Sequence, residues 1–440
     1  MRLLQKTYVW SVCLEPLLFL IWMDYIYGSN LGVSRTLQLV VIFCIFIRFI
    51  VNGFKIRSFN IFEPRYQYYS YFWFFSVFSA LFGVLYGSYS LPSIPINETM
   101  FMSVYRPIIE YIINIYYFGY FVVLARFMLT DSQIIDYFFK VFSALFYFSL
   151  IIGLIDLIFV YFIPEYMGIH RHLRGSLGVG LRFHGFAGEP RDAFVYLWLG
   201  IGVLFLKDIW RNERKLTKKT LIVIIFAMAM TQSASGLFGV VFSCGLLLVY
   251  FFPRVSFHSK VKIIILIISL LVFIYIVMMN SGRIANYANG FLHLYTNLSN
   301  GNDVGGNIRS SLNNIYPVWQ RLQEAMNFNF LPSLIGTGLG TSSVVNNLYF
   351  LQSNVVMNPN ANIIRMFFDI GIIGLLLLNK AFIYPIDRLN ISKEMRLKLL
   401  FVSLFVVGAY YGHRSVAPFL FLGIILVAME NKFPLSLNKD

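Results

Sequence analysis

The chain contains a series of continuous apolar runs, many of about 18 residues or more, and this feature limits its fold more than any other. A helix of that length crosses the ~30 Å hydrocarbon core of a bilayer. The runs do not alternate apolar with polar residues, so a transmembrane β-barrel is disfavoured. Of the 440 residues, 58% are hydrophobic and only 12% are charged, against about 25% charged residues in a soluble domain. The sequence therefore predicts an all-α, polytopic integral membrane protein.

The apolar segments predict about twelve transmembrane helices in a single membrane domain over residues 1–440. Lys and Arg fall mostly between these segments, in the pattern of the positive-inside rule with both termini in the cytoplasm. The first run is interrupted by Glu15 and Asp24 and lacks a cleavage site of small residues, so it is interpreted as a membrane helix rather than a removable signal. The pair at 220–252 forms two spanning helices or a re-entrant hairpin. The predicted helices cover residues 7–28, 33–52, 68–88, 106–128, 136–163, 191–206, 220–235, 237–252, 261–279, 361–379, 399–412 and 415–430.

The net charge of +15 does not indicate nucleic-acid binding, because the cations cluster between membrane segments. The three cysteines, Cys13, Cys44 and Cys244, all lie inside apolar segments and lack the spacing of metal ligands. No Asp-x-Asp motif is present in the sequence. We therefore expect no metal site, no cofactor and no nucleic-acid partner.

Two long segments fall outside the membrane in this topology, at about 164–190 and about 280–360. Connections of such length are usually functional or disordered. The first loop concentrates cations, and an arginine fork matches phosphate oxygens in two-pronged contacts. These residues either bind an anionic lipid-linked phosphate or pyrophosphate, or pair with lipid head groups and with Glu165, Glu189 and Asp192. The cations are His170, Arg171, His172, Arg174, Arg182, His184 and Arg191.

Further charged residues occur later in the chain. Arg309 lies in the second loop, and Arg365 and Asp369 stand four residues apart in an apolar run. Charges at membrane depth are costly, so these two side chains either form an ion pair with each other or face a polar cavity. His413 and Arg414 lie at the predicted outer turn between the last two helices. The topology allows all these groups to converge on one outward-facing cavity.

Three segments resemble motifs of the superfamily of O-antigen polymerases and O-antigen ligases. They are Arg182-Phe-His-Gly-Phe-Ala-Gly-Glu-Pro190, then Arg309 and Trp319 before Gly336-Thr-Gly-Leu-Gly340, and then Asn362 before Asp369-Ile-Gly-Ile-Ile-Gly374. The glycine-rich run alone is typical of a flexible turn. Ligases of this superfamily usually place a histidine shortly before the asparagine of the third motif. This chain instead has Asn358-Pro-Asn-Ala-Asn362, which favours a polymerase.

The resemblance implies a glycosyltransferase-C-like fold with two large periplasmic loops in the bacterial inner membrane. It implies transfer of a glycan from undecaprenyl pyrophosphate to a hydroxyl of the next lipid-linked repeat unit, without a metal. Lipid-linked oligosaccharide and membrane lipids would be direct partners, with a chain-length regulator and an upstream flippase as further ones. The alternatives are a ligase that transfers glycan to lipid A core, and a flippase or transporter of lipid-linked oligosaccharide.

Such a reaction needs cations at the departing pyrophosphate and one base for the acceptor proton. The resemblance implies that Arg182 and Arg309 hold the pyrophosphate. Arg191 follows Pro190 at a helix start, where free N–H groups favour an anion. His184 is a base or simply a loop histidine bound to phosphate or backbone. The candidate bases are Glu189, His184 and His413, and the candidate pyrophosphate ligands are Arg182, Arg309, Arg191, Arg174, Arg365 and Arg414.

Overall fold

A computed structural model describes the residue ranges given at the end of this paragraph. The described part is all-α and contains no strand, which confirms the predicted fold class at that level. Of the two predicted loops, only short pieces are described. The described residues are 2–17, 32–51, 64–86, 105–163, 182–187, 189–213, 215–255, scattered positions in 260–272, 325–342 without 328, 361–412 and 414–432.

Most of the helices follow the apolar segments of the sequence, but the helix predicted at 7–28 is observed at Arg2–Leu14, and residues 18–31 lie outside the described residues. Asp131 caps α6 by accepting a hydrogen bond from the N–H of Ile134, and Ser233 caps α9 through the N–H of Gly236. Short 3₁₀ turns at Pro64–Tyr66 and Phe252–Arg254 flank α3 and α9, and a π-helical stretch at Gly119–Val123 joins α4 to α5. In chain order the α-helices are α1 Arg2–Leu14, α2 Val33–Val51, α3 Gln67–Tyr86, α4 Arg106–Phe118, α5 Leu124–Met128, α6 Ser132–Phe162, α7 Pro190–Arg211, α8 Lys218–Met230, α9 Ala234–Phe251, α10 Leu331–Ile335, α11 Asn362–Asp387, α12 Lys393–Gly412 and α13 Ala417–Lys432.

Seven helical stretches among the described residues are long and apolar enough to cross a membrane. The chain is therefore consistent with an α-helical polytopic membrane protein, and the count of twelve spans stays a prediction. The segment at 220–252 forms the two helices α8 and α9, separated by residues 231–233. The seven stretches are Val33–Val51, Gln67–Leu85, Arg106–Met128, Ser132–Phe162, Pro190–Arg211, Asn362–Asp387 and Lys393–Gly412.

The first and last described helices meet at the same end of the bundle. Gln5 of α1 donates a hydrogen bond to Thr130 Oγ1 at 3.0 Å, and Asn431, near the end of α13, donates to Leu129 O at 3.4 Å. Lys432 donates to the carbonyls that end α7, at Ile209 and Trp210. These contacts place both helix ends on one side of the protein.

Glycines allow close packing between α9 and α12. A Cβ on Gly239 would lie 2.8 Å from the carbonyl oxygen of Gly408, and one on Gly412 would lie 2.6 Å from the carbonyl of Ser235. Small residues of this kind are typical of interfaces between membrane helices. Phe405 of α12 also stacks on Trp198 of α7, with ring centroids 3.6 Å apart. The helix α12 is thereby held firmly between its neighbours.

The helix predicted at 361–379 differs from the observed one in two respects. It extends to Asp387, and it is broken at Gly371, where φ is 61° and ψ is −171°. This backbone conformation is essentially restricted to glycine. The prediction of one continuous helix was wrong here, because an apolar run with a single glycine does not reveal a break.

Candidate functional site

A line of polar side chains runs along the otherwise apolar helix α4. Arg106, Glu110 and Asn114 follow one another at intervals of four residues, so they share one face of the helix. Glu110 is only 3% exposed. Its Oε1 lies 2.8 Å from a guanidinium nitrogen of Arg106, and its Oε2 pairs with Arg414, in the turn between α12 and α13. A buried carboxylate is therefore held between two guanidinium groups from distant parts of the chain.

The segment Gly336–Gly340, called the glycine loop from here on, packs against the break in α11. The N–H of Thr337 donates to the carbonyl of Phe368 at 3.0 Å, and the N–H of Gly338 donates to the carbonyl of Asp369 at 2.7 Å. Ser79 of α3 donates a further hydrogen bond to the Asp369 carbonyl at 2.9 Å. A break in a membrane helix frees backbone carbonyls that need new partners. The glycine loop and Ser79 supply those partners.

Two glycines make this contact sterically possible. A Cβ on Gly371 would lie 2.3 Å from the carbonyl oxygen of Leu334, and one on Gly336 would lie 2.5 Å from that of Asp369. Both residues have a positive φ, of 61° and 78° respectively. The glycine loop is therefore a packed support for α11, and the expectation of a flexible turn was wrong.

The break positions the acidic side chain of α11. Asp369 is 5% exposed, and its Oδ1 accepts a hydrogen bond from the backbone N–H of Ser342 at 2.8 Å. Arg365 lies one turn earlier on the same helix. At the start of α11, the Asn362 side chain donates to the carbonyl of Tyr410 at 3.0 Å and ties α11 to α12. The third motif of the sequence thus holds the ends of two helices together.

These groups surround a cavity of about 130 Å³, called the first cavity. Three arginines and two carboxylates line it, so the charges nearly balance and leave an excess of one cation. Electrostatic interactions are stronger in such a buried site than in water. The lining residues are Arg106, Glu110, Asn114, Leu339, Gly340, Ser342, Asn362, Arg365, Met366, Asp369, Tyr410 and Arg414.

Arg414 keeps its charge in this setting. Burial lowers the pKa of its guanidinium, but the attraction of the Glu110 carboxylate raises it, and the resulting pKa lies above the ordinary value for arginine. An arginine is charged at any physiological pH even without such help. Arg414 is therefore a permanent cation in the wall of the first cavity.

Arg182 and its motif occupy a different place. The Arg182 guanidinium donates to the carbonyls of Thr231 at 2.8 Å and of Gln232 at 3.1 Å, in the turn between α8 and α9. The N–H of Phe183 donates to the carbonyl of Met230 at 2.9 Å. This segment therefore fixes the turn between two helices. Arg182 does not line the first cavity, and its role as a pyrophosphate ligand stays a prediction.

The other predicted site residues divide into three groups. Arg365 and Arg414 both line the first cavity. Near the start of α7, Glu189 forms an ion pair with Arg191 at 2.5 Å, and His184 is buried, with 1% of its surface exposed. Arg174, Arg309 and His413 lie outside the described residues. The catalytic and binding roles assigned to all these residues stay predictions.

Sequence reasoning missed Arg106, Glu110 and Asn114, although the signal was present. The run Arg106-Pro-Ile-Ile-Glu110-Tyr-Ile-Ile-Asn114 places three polar residues at helical spacing in an apolar segment. An ionisable residue inside a membrane segment is a functional candidate by default. The same argument had selected Arg365 and Asp369, and it applies equally to α4.

No group of three or more His, Cys, Asp or Glu side chains in the described part of the chain could hold a metal ion. No protein-family model, no curated protein and no solved structure matches the chain. The function is therefore inferred from the chemistry of the first cavity and from the motifs around it.

Proposed function

We propose that this protein is a membrane glycosyltransferase that polymerises a bacterial surface polysaccharide. It would transfer a glycan from undecaprenyl pyrophosphate to a hydroxyl of the next lipid-linked repeat unit. The observation that carries the proposal is the first cavity, where Arg106, Arg365 and Arg414 meet the buried carboxylates Glu110 and Asp369. Residues of the glycine loop and of the third motif line this cavity, although they are far apart in sequence.

In the proposed reaction, the acceptor oxygen forms a bond to the anomeric carbon of the donor sugar. The bond from that carbon to the pyrophosphate oxygen breaks, and its electron pair leaves with the pyrophosphate. The hydroxyl proton moves to a base on the protein. Arginines that already point at the departing oxygens stabilise this developing charge without having to reorganise.

The two carboxylates suit different tasks in this scheme. Glu110 already pairs with Arg106 and Arg414 and serves to orient the two guanidinium groups. Asp369 accepts backbone hydrogen bonds from Ser342 and Gly340 and faces the same cavity. We add Asp369 to Glu189, His184 and His413 as a candidate for the base that takes the acceptor proton.

The proposal includes a location and a topology. Twelve spans with both termini in the cytoplasm of a bacterium would put the first cavity at the periplasmic side of the inner membrane. In support, Arg106 begins α4 and Arg414 lies shortly before α13. Both residues are therefore at the opposite end of the bundle from Leu129 and Thr130, where α1 and the end of α13 make their contacts. Lipid-linked substrates carried across by a separate flippase would reach the cavity from that side.

A flippase or transporter of lipid-linked oligosaccharide is the second candidate, and one observation favours it. Transporters often bind their substrates at broken membrane helices, and α11 is broken at Gly371 beside the first cavity. A flippase would need the cavity to open alternately to both sides. The glycine loop, which is hydrogen-bonded to the break, favours a fixed site over a moving one.

The test is to incubate the purified protein with undecaprenyl-pyrophosphate-linked repeat units from its host, with and without EDTA. A ladder of lipid-linked oligomers that persists in EDTA is expected. Transfer of glycan onto added lipid A core, with no ladder, would replace the polymerase with a ligase. No transfer from a substrate of demonstrated competence, together with repeat units trapped inside cells that lack the protein, would support the flippase.

A further inference from the structure

The helices α6 and α7 face each other through a surface that is apolar at one level and polar at the next. Phe146 of α6 packs so closely on α7 that a Cβ on Gly200 would lie 1.9 Å from its ring. Two turns further along α7, the ammonium group of Lys207 donates a hydrogen bond to Ser143 Oγ of α6 at 3.0 Å. The order of these contacts makes the two helices antiparallel. The polar part of their interface therefore lies towards the end of α7.

Lys207 points towards the interior of the bundle rather than towards the end of its helix. Arg211, one turn later on α7, lies 3.0 Å from Asp136, which precedes Ser143 by seven residues on α6. At 1.5 Å per residue, the Lys207 ammonium group therefore lies about 10 Å deeper along the bundle than this ion pair. Lysines near the ends of membrane helices usually extend towards the interface instead. This lysine places a full charge at membrane depth.

The protein compensates this charge only in part. Among the described residues, the Lys207 ammonium group has one hydrogen-bond partner, Ser143 Oγ, and no ion pair. That hydroxyl in turn donates to the carbonyl of Phe139 at 2.6 Å. The neighbouring carboxylate of Asp208 attracts Lys207, but its Oδ2 accepts the N–H of Leu216 at 2.9 Å. Because an ammonium group has three N–H donors, two of them are not used by the described part of the protein.

The facing sides of α6 and α7 carry an excess of positive charge. Lys140 shares the face of α6 that holds Asp136 and Ser143, because the three residues are spaced by four and three positions. With Lys207 and Arg211 of α7, this surface has three cations and one carboxylate, and that carboxylate is already paired with Arg211. These five residues are called the basic groove from here on. Its charge is suited to an anion.

The same side of α6 continues towards the middle of the helix as an exposed apolar stripe. Phe148, Ile151 and Ile155 follow Lys140 at helical spacing, and they are 56%, 55% and 41% exposed. A basic surface near the end of a spanning helix, followed by an apolar stripe, matches the form of a phospholipid. Its phosphate lies towards the interface and its acyl chains extend inwards. A free phosphate ion would make no use of the stripe.

We propose that the basic groove binds the phosphate of an anionic phospholipid such as phosphatidylglycerol. Basic pockets between spanning helices are typical sites for anionic head groups. Lys207 is the deepest ligand and donates to a phosphate oxygen, Lys140 adds charge at the rim, and one acyl chain lies along Phe148 and Ile151. No residue of the basic groove lines the first cavity. The inference therefore does not depend on the proposed glycosyltransferase activity.

Native mass spectrometry of the full chain, purified in detergent, measures lipid binding. The probes are dioleoyl phosphatidylglycerol, dioleoyl phosphatidylcholine, which has the same acyl chains and no net charge, and inorganic phosphate. The decisive variant is Lys207→Met, which keeps an unbranched side chain and removes the charge. The matched control is Lys219→Met, which removes the same charge from an exposed lysine at the start of α8. Lys207→Arg keeps the charge in the groove.

The unaltered protein should bind phosphatidylglycerol more tightly than phosphatidylcholine, and Lys207→Met should bind it about five- to tenfold more weakly. Lys219→Met should change the affinity much less, and Lys207→Arg should retain most of it. Equal binding of the two lipids, or an equal loss in Lys207→Met and Lys219→Met, would overturn the inference. Displacement of phosphatidylglycerol by inorganic phosphate at the same concentration would also overturn it, because the groove would then take a free anion.

Thermal unfolding in detergent separates lipid binding from folding. Without added lipid, Lys207→Met should unfold at the same temperature as the unaltered protein or at a higher one, because a charge with a neutral partner is removed from membrane depth. Added phosphatidylglycerol should raise the unfolding temperature of the unaltered protein and of Lys219→Met, and raise that of Lys207→Met much less. A lipid-induced shift of the same size in all three proteins would show that Lys207 is not part of a lipid site.

Discussion

The carboxylate of Glu110 and the guanidinium of Arg414 form an ion pair in the interior of the helix bundle, although the two residues are far apart in the sequence. Glu110 pairs at the same time with Arg106 on its own helix. Charges at such depth are expensive unless each has a partner. The pairing therefore joins α4 to the turn between α12 and α13 and orients two of the three arginines of the first cavity.

Glu110→Ala should destabilise the protein strongly, because Arg414 would lose its buried partner. Removing one member of a buried pair costs about 3–5 kcal/mol, and the lower end applies here since the Arg414 side chain is 27% exposed. Thermal unfolding of the purified protein in detergent measures the effect. The control is Glu394→Ala, which breaks an exposed pair with Lys398 and should change little. The double variant Glu110→Gln/Arg414→Gln removes both charges of the pair and should be more stable than Glu110→Ala, which leaves Arg414 charged without this partner. If the double variant is no more stable, loss of the ion pair does not explain the destabilisation.

Gly371→Ala should destabilise the break in α11. Backbone strain alone costs about 1–3 kcal/mol in this conformation, and the new methyl group would also lie 2.3 Å from the Leu334 carbonyl oxygen. Gly245→Ala is the matched control, because a Cβ there meets nothing within 4 Å and α9 is a regular helix. That control should be neutral or stabilising by up to about 1 kcal/mol. Equal unfolding temperatures for the two variants would contradict the proposed support of α11 by the glycine loop.

Hydropathy predicted the helices well, since in lipid every spanning segment must satisfy its own backbone, and only long apolar helices do so. The cost of a charge at membrane depth identified Arg365 and Asp369, and the predicted outer turn identified Arg414; all three line the first cavity. The break at Gly371 could not be predicted in this way. It depends on hydrogen bonds from Thr337 and Gly338, which are distant in sequence and visible only after folding.

Arg182→Ala should lower stability as well as chain growth. Two hydrogen bonds from a charged donor to the carbonyls of Thr231 and Gln232 would be lost, and a hydrogen bond to a charged group contributes about 1.5–3 kcal/mol. Arg182→Lys should lose part of that stability, because an ammonium group does not reproduce the two-pronged geometry. Thermal unfolding and the oligomer ladder are measured on the same preparations. A variant with normal stability and no chain growth would instead favour a direct role on the pyrophosphate.

Asp369→Asn should separate the chemical role of this side chain from its structural one. The amide oxygen of asparagine can still accept the hydrogen bond from the Ser342 N–H, although the backbone of Gly340 also hydrogen-bonds this carboxylate, so α11 and the glycine loop should largely keep their arrangement. The amide cannot take a proton, and loss of a general base slows a reaction by about 100- to 10,000-fold. We therefore expect a nearly unchanged unfolding temperature and a loss of the oligomer ladder. Glu189→Gln is the comparison, because Glu189 is a rival base paired with Arg191 near the start of α7. A ladder that persists in Asp369→Asn and disappears in Glu189→Gln would assign the proton transfer to Glu189 and leave Asp369 with a supporting role only.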